Sequence, residues 1–250
     1  RGAGEFAGRG LRLGLGLLSV LAPVQILIGD LHGLNTLKHQ PMKVAAMEGH
    51  WETRSGAPFH VLAWPDQDGA RNRFELSIPY AGSLILHHHP HAEVAGLDQV
   101  PPQDRPRVAI VFWAFRVMVG AGLSMLTLGA WGVWRWRQGR LERSAVLLRA
   151  LTWAAPLGVV ATLCGWWVTE VGRQPWVVHG LMRTADAVSP VPAGLTGAAL
   201  GLFVAAYLAL GGVYLAVLVR LLRAGPPRHA AAPPPAPARP AFLDAPEQAP

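Results

Sequence analysis

The chain has 250 residues, 51% of them hydrophobic and only 15% charged, with 10 Trp and a formal charge of +7. Soluble domains carry about a quarter charged residues, and apolar stretches of about twenty residues mark membrane spans. An ordinary aqueous fold, a disordered chain and a disulfide scaffold are therefore excluded.

In chain order, the first span is expected over roughly residues 11–29, short, with Arg12 near its start and able to snorkel to the interface. A polar stretch of 78 residues follows, 30–107, rich in Pro, Gly and His, too long for a turn and read as a functional loop or a folded lobe. Within it, Pro41 suits the first turn of a short helix through Met42 to Glu48, and Gly49 suits its end. Unambiguous spans are expected over roughly 108–134 and 145–169. The single cysteine, Cys164, lies inside the second of these runs; it can form no intrachain disulfide and reads as a small buried hydrophobe. A fourth span, roughly 195–219, carries Gly194, Gly197, Gly201, Gly211 and Gly212, which in lipid favour close packing against protein. The last 26 residues hold nine prolines and many alanines and are expected to be disordered.

The fold class expected is all-α, an integral membrane helical bundle of four transmembrane helices with a large extracytoplasmic loop. Its parts are an N-terminal segment with the first span (1–29), the loop (30–107), a three-helix membrane part (108–223) and the tail (224–250). Charge orients it. With the first span running outward, the inner regions hold 12 Arg and 4 acidic residues, the outer ones 9 Lys and Arg and 11 acidic residues. Arg135, Arg137, Arg140 and Arg143 in one short loop give the strongest signal for a cytoplasmic side, so the long loop is expected outside and the tail inside. Basic residues beside apolar segments fit membrane topology better than nucleic acid, and no nucleic-acid partner is expected. The chain starts with Arg and its first ten residues hold no signal-peptide pattern, which reads as part of something longer.

Three stretches carry chemistry. In VFWAFRVMVGAG (111–122), Arg116 stands in the middle of a span, where an ionisable group is a functional candidate. The plainer reading is an Arg reaching a headgroup or a neighbouring helix, with Met118 filling a packing gap; at 100° per residue the two point to different sides. In GWWVTEVGRQPW (165–176), Glu170 is an iron ligand, a proton-transfer group or the salt-bridge partner of Arg173 three residues on. Trp166 shares its face, as a cofactor wall or part of an interfacial aromatic belt. In GDLHGLNTLKHQPMKVAAMEGHWET (29–53), Lys43 and Glu48 diverge by about 140° and flank a surface, suited to holding and deprotonating a hydroxylated ring and equally ordinary on a solvated helix. The run His87, His88, His89 and His91 contains Pro90 and no carboxylate at ligand spacing, and reads as a solvated run rather than a metal site.

Together, in this order and between these spans, the three motifs resemble subunit I of the cytochrome bd family of quinol oxidases, the loop motif most like the cyanide-insensitive branch. The resemblance covers residues from about 11 to 223 and implies the last four of nine spans in a multi-pass protein of the bacterial inner membrane. It implies that Met118 is the axial ligand of low-spin haem b and Arg116 the arginine that stabilises it. It implies that Glu170 serves the high-spin haem b beside haem d, or a further haem b, where dioxygen is reduced, with Arg173 the arginine of that motif and Trp166 among the haems. Lys43 and Glu48 match a loop pair implicated in quinol binding, and Asp30 an acidic residue at the loop's start.

The implied enzyme is a quinol:oxygen oxidoreductase that builds a proton gradient, with subunit II, the missing N-terminal spans and membrane lipid as partners. The family also uses histidine ligands. All 10 His here fall outside the four expected spans, and none matches those ligands. The alternatives are a non-catalytic truncated membrane scaffold that keeps the motifs without cofactors, and a transporter using Arg116 and Glu170.

Overall fold

The computed structural model describes residues 2–225 except Ser189; the expected disorder of the tail concerns residues that, from 226 on, lie outside the described ones. Two compact units divide the chain, one over residues 11–190 and one holding the first ten residues with everything from Val191 on.

The helix α1 (Gly2–His39), which belongs to the larger unit from Leu11 on, leads through Gln40 into α2 (Pro41–Glu48). A lobe follows with β1 (Arg54–Ser55), β2 (Phe59–Asp66), β3 (Arg71–Ile78), α3 (Ala81–His87) and β4 (Glu93–Val94), and ends in two single 3-10 turns. Then come α4 (Val108–Arg137), a 3-10 turn at Leu141–Arg143, α5 (Ala145–Ala154), α6 (Leu157–Arg173), β5 (Trp176–Val178) and β6 (Met182–Arg183). The strands make three separate antiparallel pairs, β1 with β4, β2 with β3 and β5 with β6. The protein is thus mostly helical, its short ladders confined to connections. The smaller unit contains α7 (Ala193–Ala224), in which no residue is buried. Among the described residues, four helical segments are long and apolar enough to cross a membrane.

Two expectations are corrected. The first helix does not stop near residue 29 but runs to His39, because residues 30–39 contain no proline and only one glycine, a weak breaker. Pro41 ends it, since the residue before a proline is driven out of helical backbone, and Gln40 sits at φ −140°. Asp30 is therefore an exposed helical residue, not the start of a loop, and His32 and His39 ride on the same helix. At 1.5 Å per residue the 38-residue helix is about 57 Å long, well beyond the roughly 30 Å of a bilayer core. The third span is interrupted at Ala155–Pro156, where the proline removes a ladder N–H; both residues keep right-handed helical backbone, so α6 continues the direction to Arg173.

Gly49 ends α2 at φ +71°, in the left-handed region that suits glycine, and its N–H returns to Ala45 O. The main core joins α2, α4 and α6: Met42, Ala45 and Ala46 meet Val108, Val111, Ala114, Cys164 and Val168, together with Trp51 and Leu97 of the lobe. Cys164 is buried there, as expected. A second cluster, Leu15, Leu141 and Leu147, ties α1 to the α4–α5 connection. Near it, Gly129 and Gly132 of α4 face Leu15, Leu18 and Ser19 of α1 so closely that a Cβ at Gly132 would fall 2.5 Å from Leu15 Cδ2.

The lobe is fastened to the helices by polar contacts. Gln67 Oε1 accepts from Val108 N at 3.0 Å, securing the first turn of α4 from the β2–β3 turn. Trp51 Nε1 donates to Asn72 Oδ1 at 2.9 Å, and Asn72 Nδ2 donates to Gly49 O at 3.1 Å, joining the end of α2 to β3.

Candidate functional site

Helix α2 is the hub of the site. Its first-turn residue Lys43 and its last residue Glu48 leave opposite sides, and each meets a different long helix. Glu48, 5% exposed, accepts from Arg116 Nη2 at 2.8 Å. The same guanidinium donates through Nε and Nη2 to His60 O at 2.8 and 2.6 Å, and through Nη1 to Met47 O at 3.2 Å. Its planar faces lie against the rings of Phe59, Phe112 and Phe115, with centroids 4.4 to 5.4 Å away. Arg116 thus binds the lobe and the end of α2 to α4. A buried pair of this kind survives because its remaining polar atoms are satisfied; losing one partner typically costs about 3–5 kcal/mol.

Lys43 lies over α6. A Cβ at Gly172 would come 3.0 Å from Lys43 Cγ and 3.1 Å from Cε, so the lysine stem needs the bare glycine to pass. Burial and the neighbouring Arg173 charge hold its ammonium below the ordinary lysine range, while Glu170 opposes them. Glu170 and Arg173 form an ion pair one turn apart on α6, each about two-fifths exposed. Of the readings open for Glu170, the salt bridge is therefore present. Between these residues is a small cavity of about 60 Å³, lined among others by Lys43, Asp104, Arg173, Trp176 and His179. Arg183 pairs with Asp104 at 2.6 Å, fixing the β5–β6 hairpin beside it. The lobe and the hairpin therefore share one end of the helix bundle.

Met118 is half-buried against the main core, and a Cβ at Gly165 would lie 3.1 Å from its Sδ. Arg116 turns toward the lobe while Met118 faces α6, as their angular separation requires. Trp166 is 59% exposed. Asp30 is exposed on α1 and makes no side-chain hydrogen bond or ion pair among those found in the described residues. No cluster of three metal-ligating His, Cys, Asp or Glu side chains occurs among the described residues, and His87, His88, His89 and His91 are exposed.

Two buried residues went unnoticed in the sequence. His50, directly after the α2 cap, and His60, on the inner face of β2, are buried beside the Glu48–Arg116 pair. Desolvation lowers the proton affinity of both, and His60, with His50 next to it, is pushed down to about 4. The available signal was the alternation of β2, in which His60 shares a side with the apolar Ala63 only through a bulged register.

A polytopic helical membrane protein, with a polar lobe locked to its helices through a buried arginine–carboxylate pair, is the class that fold and site define. The family model described as cytochrome bd terminal oxidase subunit I matches residues 1–226, and the chain belongs to that family. It is 34% identical over 211 residues to a cytochrome bd ubiquinol oxidase subunit 1 of Bacillus subtilis (strain 168), covering 80% of this chain and 45% of that protein. It is 28% identical over 279 residues to a cytochrome bd-II ubiquinol oxidase subunit 1 of Escherichia coli (strain K12), covering 84% and 54%. The solved bd oxidase of Geobacillus thermodenitrificans superposes with a TM-score of 0.70 at 32% identity, covering 83% of this chain and 48% of that one. The chain spans about half the length of the curated relatives it matches.

Proposed function

We propose that the chain provides part of subunit I of a bd-type terminal oxidase of a bacterial inner membrane, oxidising quinol on the lobe side and contributing ligands for the reduction of dioxygen to water. The observation that carries this reading is the Arg116–Glu48 ion pair at 2.8 Å. It joins the carboxylate assigned to quinol with the arginine assigned to the low-spin haem, so that the two halves of a proton-coupled oxidation start from one buried contact.

The chain's own residues divide the work. Lys43, buried against Gly172, donates a hydrogen bond to a quinol oxygen from the α6 side. Glu48 takes the hydroxyl proton from the α4 side; while it is ionised, Arg116 balances it, and Arg116 keeps its other hydrogen bonds to His60 O and Met47 O when it is neutral. Asp30, on α1, is retained as an outer acidic residue of the quinol side.

The donors present fit one face of each haem site. Met118 offers a thioether packed against Gly165, and Glu170 offers a carboxylate with Arg173 holding it and Trp166 exposed next to it. When bound, low-spin haem b and a high-spin pair, haem b with haem d or a further haem b, supply electron transfer and dioxygen reduction. A thioether donor favours the reduced state of such an iron. The further donors come from the remaining spans of the subunit, and subunit II completes the complex. The exposed Trp166 and Trp167 on α6 support a protein that is covered by such partners and by lipid. Protons released on the lobe side and taken up from the opposite side build a gradient.

The test is made in the complete oxidase. Glu48→Gln keeps an acceptor for Arg116 but removes the base, and is expected to lower quinol oxidation by at least tenfold, on the order of general-base effects, with the haem spectrum intact. Lys43→Ala is expected to raise the quinol KM. Full activity in both variants contradicts the assignment, and loss of haem in both makes the lobe structural only.

A further inference from the structure

Glu48 is the last residue of α2, and the place of its carboxylate depends on what holds the chain on either side of it. The carbonyl before it, Met47 O, accepts from Arg116 Nη1 at 3.2 Å. The carbonyl after it, Gly49 O, accepts from Asn72 Nδ2 at 3.1 Å. Two side chains, one from α4 and one from β3, therefore pin the backbone that carries the carboxylate.

Asn72 is set up for this. On β3, which is exposed over most of its length, only Asn72 and Ser77 are half-buried. Asn72 stands opposite Pro65, at an irregularity of the β2–β3 ladder, and its side chain reaches the end of α2. Trp51 Nε1 donates to Asn72 Oδ1 at 2.9 Å. An indole N–H only donates and a carbonyl only accepts, so the two partners fix which way the amide points. Trp51 is itself part of the main core, which anchors the amide from the packed side.

Gly49 fills the space between. A Cβ there would lie 3.3 Å from Phe112 Cδ2 and Cε2 and 3.5 Å from Asn72 Oδ1, and the Phe112 ring in turn faces the Arg116 guanidinium at 4.4 Å. The next two carbonyls, His50 O and Trp51 O, are taken by Leu97 N and Asp98 N, each at 3.0 Å. Those contacts fix the entry to the lobe; the Asn72 contact is the one adjacent to Glu48. Helix ends fray, and glycine restrains its backbone least. A base that must come within hydrogen-bond reach of a hydroxyl needs such an end held.

We propose that Asn72 is a positioning residue of the quinol reaction: it acts through Glu48, by fixing the Gly49 peptide so that the carboxylate stays within reach of Arg116 and of the quinol hydroxyl together. This rests on the reading that Glu48 takes the quinol proton. Asn72 itself exchanges no proton. Lys43, at the other end of α2, keeps its place against Gly172, so substrate binding and proton removal respond separately.

The experiment uses the complete oxidase with duroquinol as substrate. Asn72→Ala is expected to lower kcat by roughly tenfold, as small misplacements of a reacting group do, with KM and the haem spectrum little changed. In the Glu48→Gln background the same substitution is expected to cost less than about twofold, because the group it positions is gone. An undiminished kcat in Asn72→Ala overturns the proposal, and so does an equal loss in both backgrounds, which would mean that Asn72 acts elsewhere. Should Asn72→Ala lose haem, Asn72→Leu, which fills the space without a polar group, decides by the same two comparisons; loss of haem there too makes Asn72 a folding residue and overturns the positioning role. Glu48→Gln alone separates the two readings. If it is slow while Asn72→Ala is normal, only the positioning role fails; if it retains full activity, the quinol assignment fails and the positioning role with it.

Discussion

Arg116 makes four hydrogen bonds, one of them the ion pair with Glu48, from within an apolar helix, and the geometry is that of a guanidinium fork rather than a point charge. Arg116→Lys keeps the charge but cannot reach Glu48, Met47 O and His60 O together; the lobe is expected to lose heat stability, by about 3–5 kcal/mol as for a broken buried pair, measured by the unfolding midpoint of the complex in detergent. Gly172→Ala places a Cβ about 3 Å from the Lys43 stem. It is expected to raise the quinol KM, as Lys43→Ala does, with the haem spectrum unchanged; an unaltered KM separates Lys43 from substrate. His50 and His60 give a pH dependence. Their proton affinity is lower in the folded lobe than in the unfolded chain, so between about pH 6.5 and 4 the unfolded state binds more protons and stability falls as pH falls. Hydrogen exchange of β2 amides, corrected for intrinsic rates, is expected to show weaker protection at pH 5 than at pH 7, a difference that His60→Gln diminishes. At this scale the motifs were legible because each sits at a charge inside or beside an apolar run: Arg116, Glu170, Arg173, Lys43 and Glu48. His50 and His60 were not, because their burial depends on the pairing of a lobe strand with α4, and nothing local marks it. The conspicuous His run at 87–91 is exposed.

Among the elements, the short helix α2 was legible to its ends, since Pro41 and Gly49 punctuate it by their own backbone limits. The end of α1 was not. Hydropathy marks only the apolar part, and the helix continues past it until a proline stops it, carrying Asp30, His32 and His39 with it. The strands of the lobe were missed for a related reason: β3 is exposed at most positions, so its sequence shows no clear inward face. The packing of α1 on α4 depends on small residues at Gly129 and Gly132. Gly132→Leu is expected to separate these helices and destabilise the chain by about 1–3 kcal/mol or more, as overpacking does. Gly158→Leu in α6, an exposed position with no atom within 4 Å of a Cβ, is expected to leave the chain's own stability unchanged. Comparing detergent unfolding of the two variants measures this directly. Equal effects would mean that the α1–α4 contact contributes little.

For the whole molecule, four apolar helices and a polar lobe follow from composition and hydropathy, and the three motifs in order specify the family. In the proposed function Met118 and Glu170 would each supply one donor to a haem site, and the relatives are about twice as long. The central claim is that these residues are halves of sites completed by other spans. It is tested most directly by the reduced-minus-oxidised visible spectrum of the 250-residue chain purified in mild detergent, alone and co-expressed with the remaining spans of a family subunit I and with subunit II. Haem bands that arise only on co-expression, and whose low-spin component disappears in Met118→Ala, are the predicted result. No haem under either condition, or a low-spin band indifferent to Met118→Ala, would contradict it and leave a membrane scaffold that keeps the motifs without the cofactors.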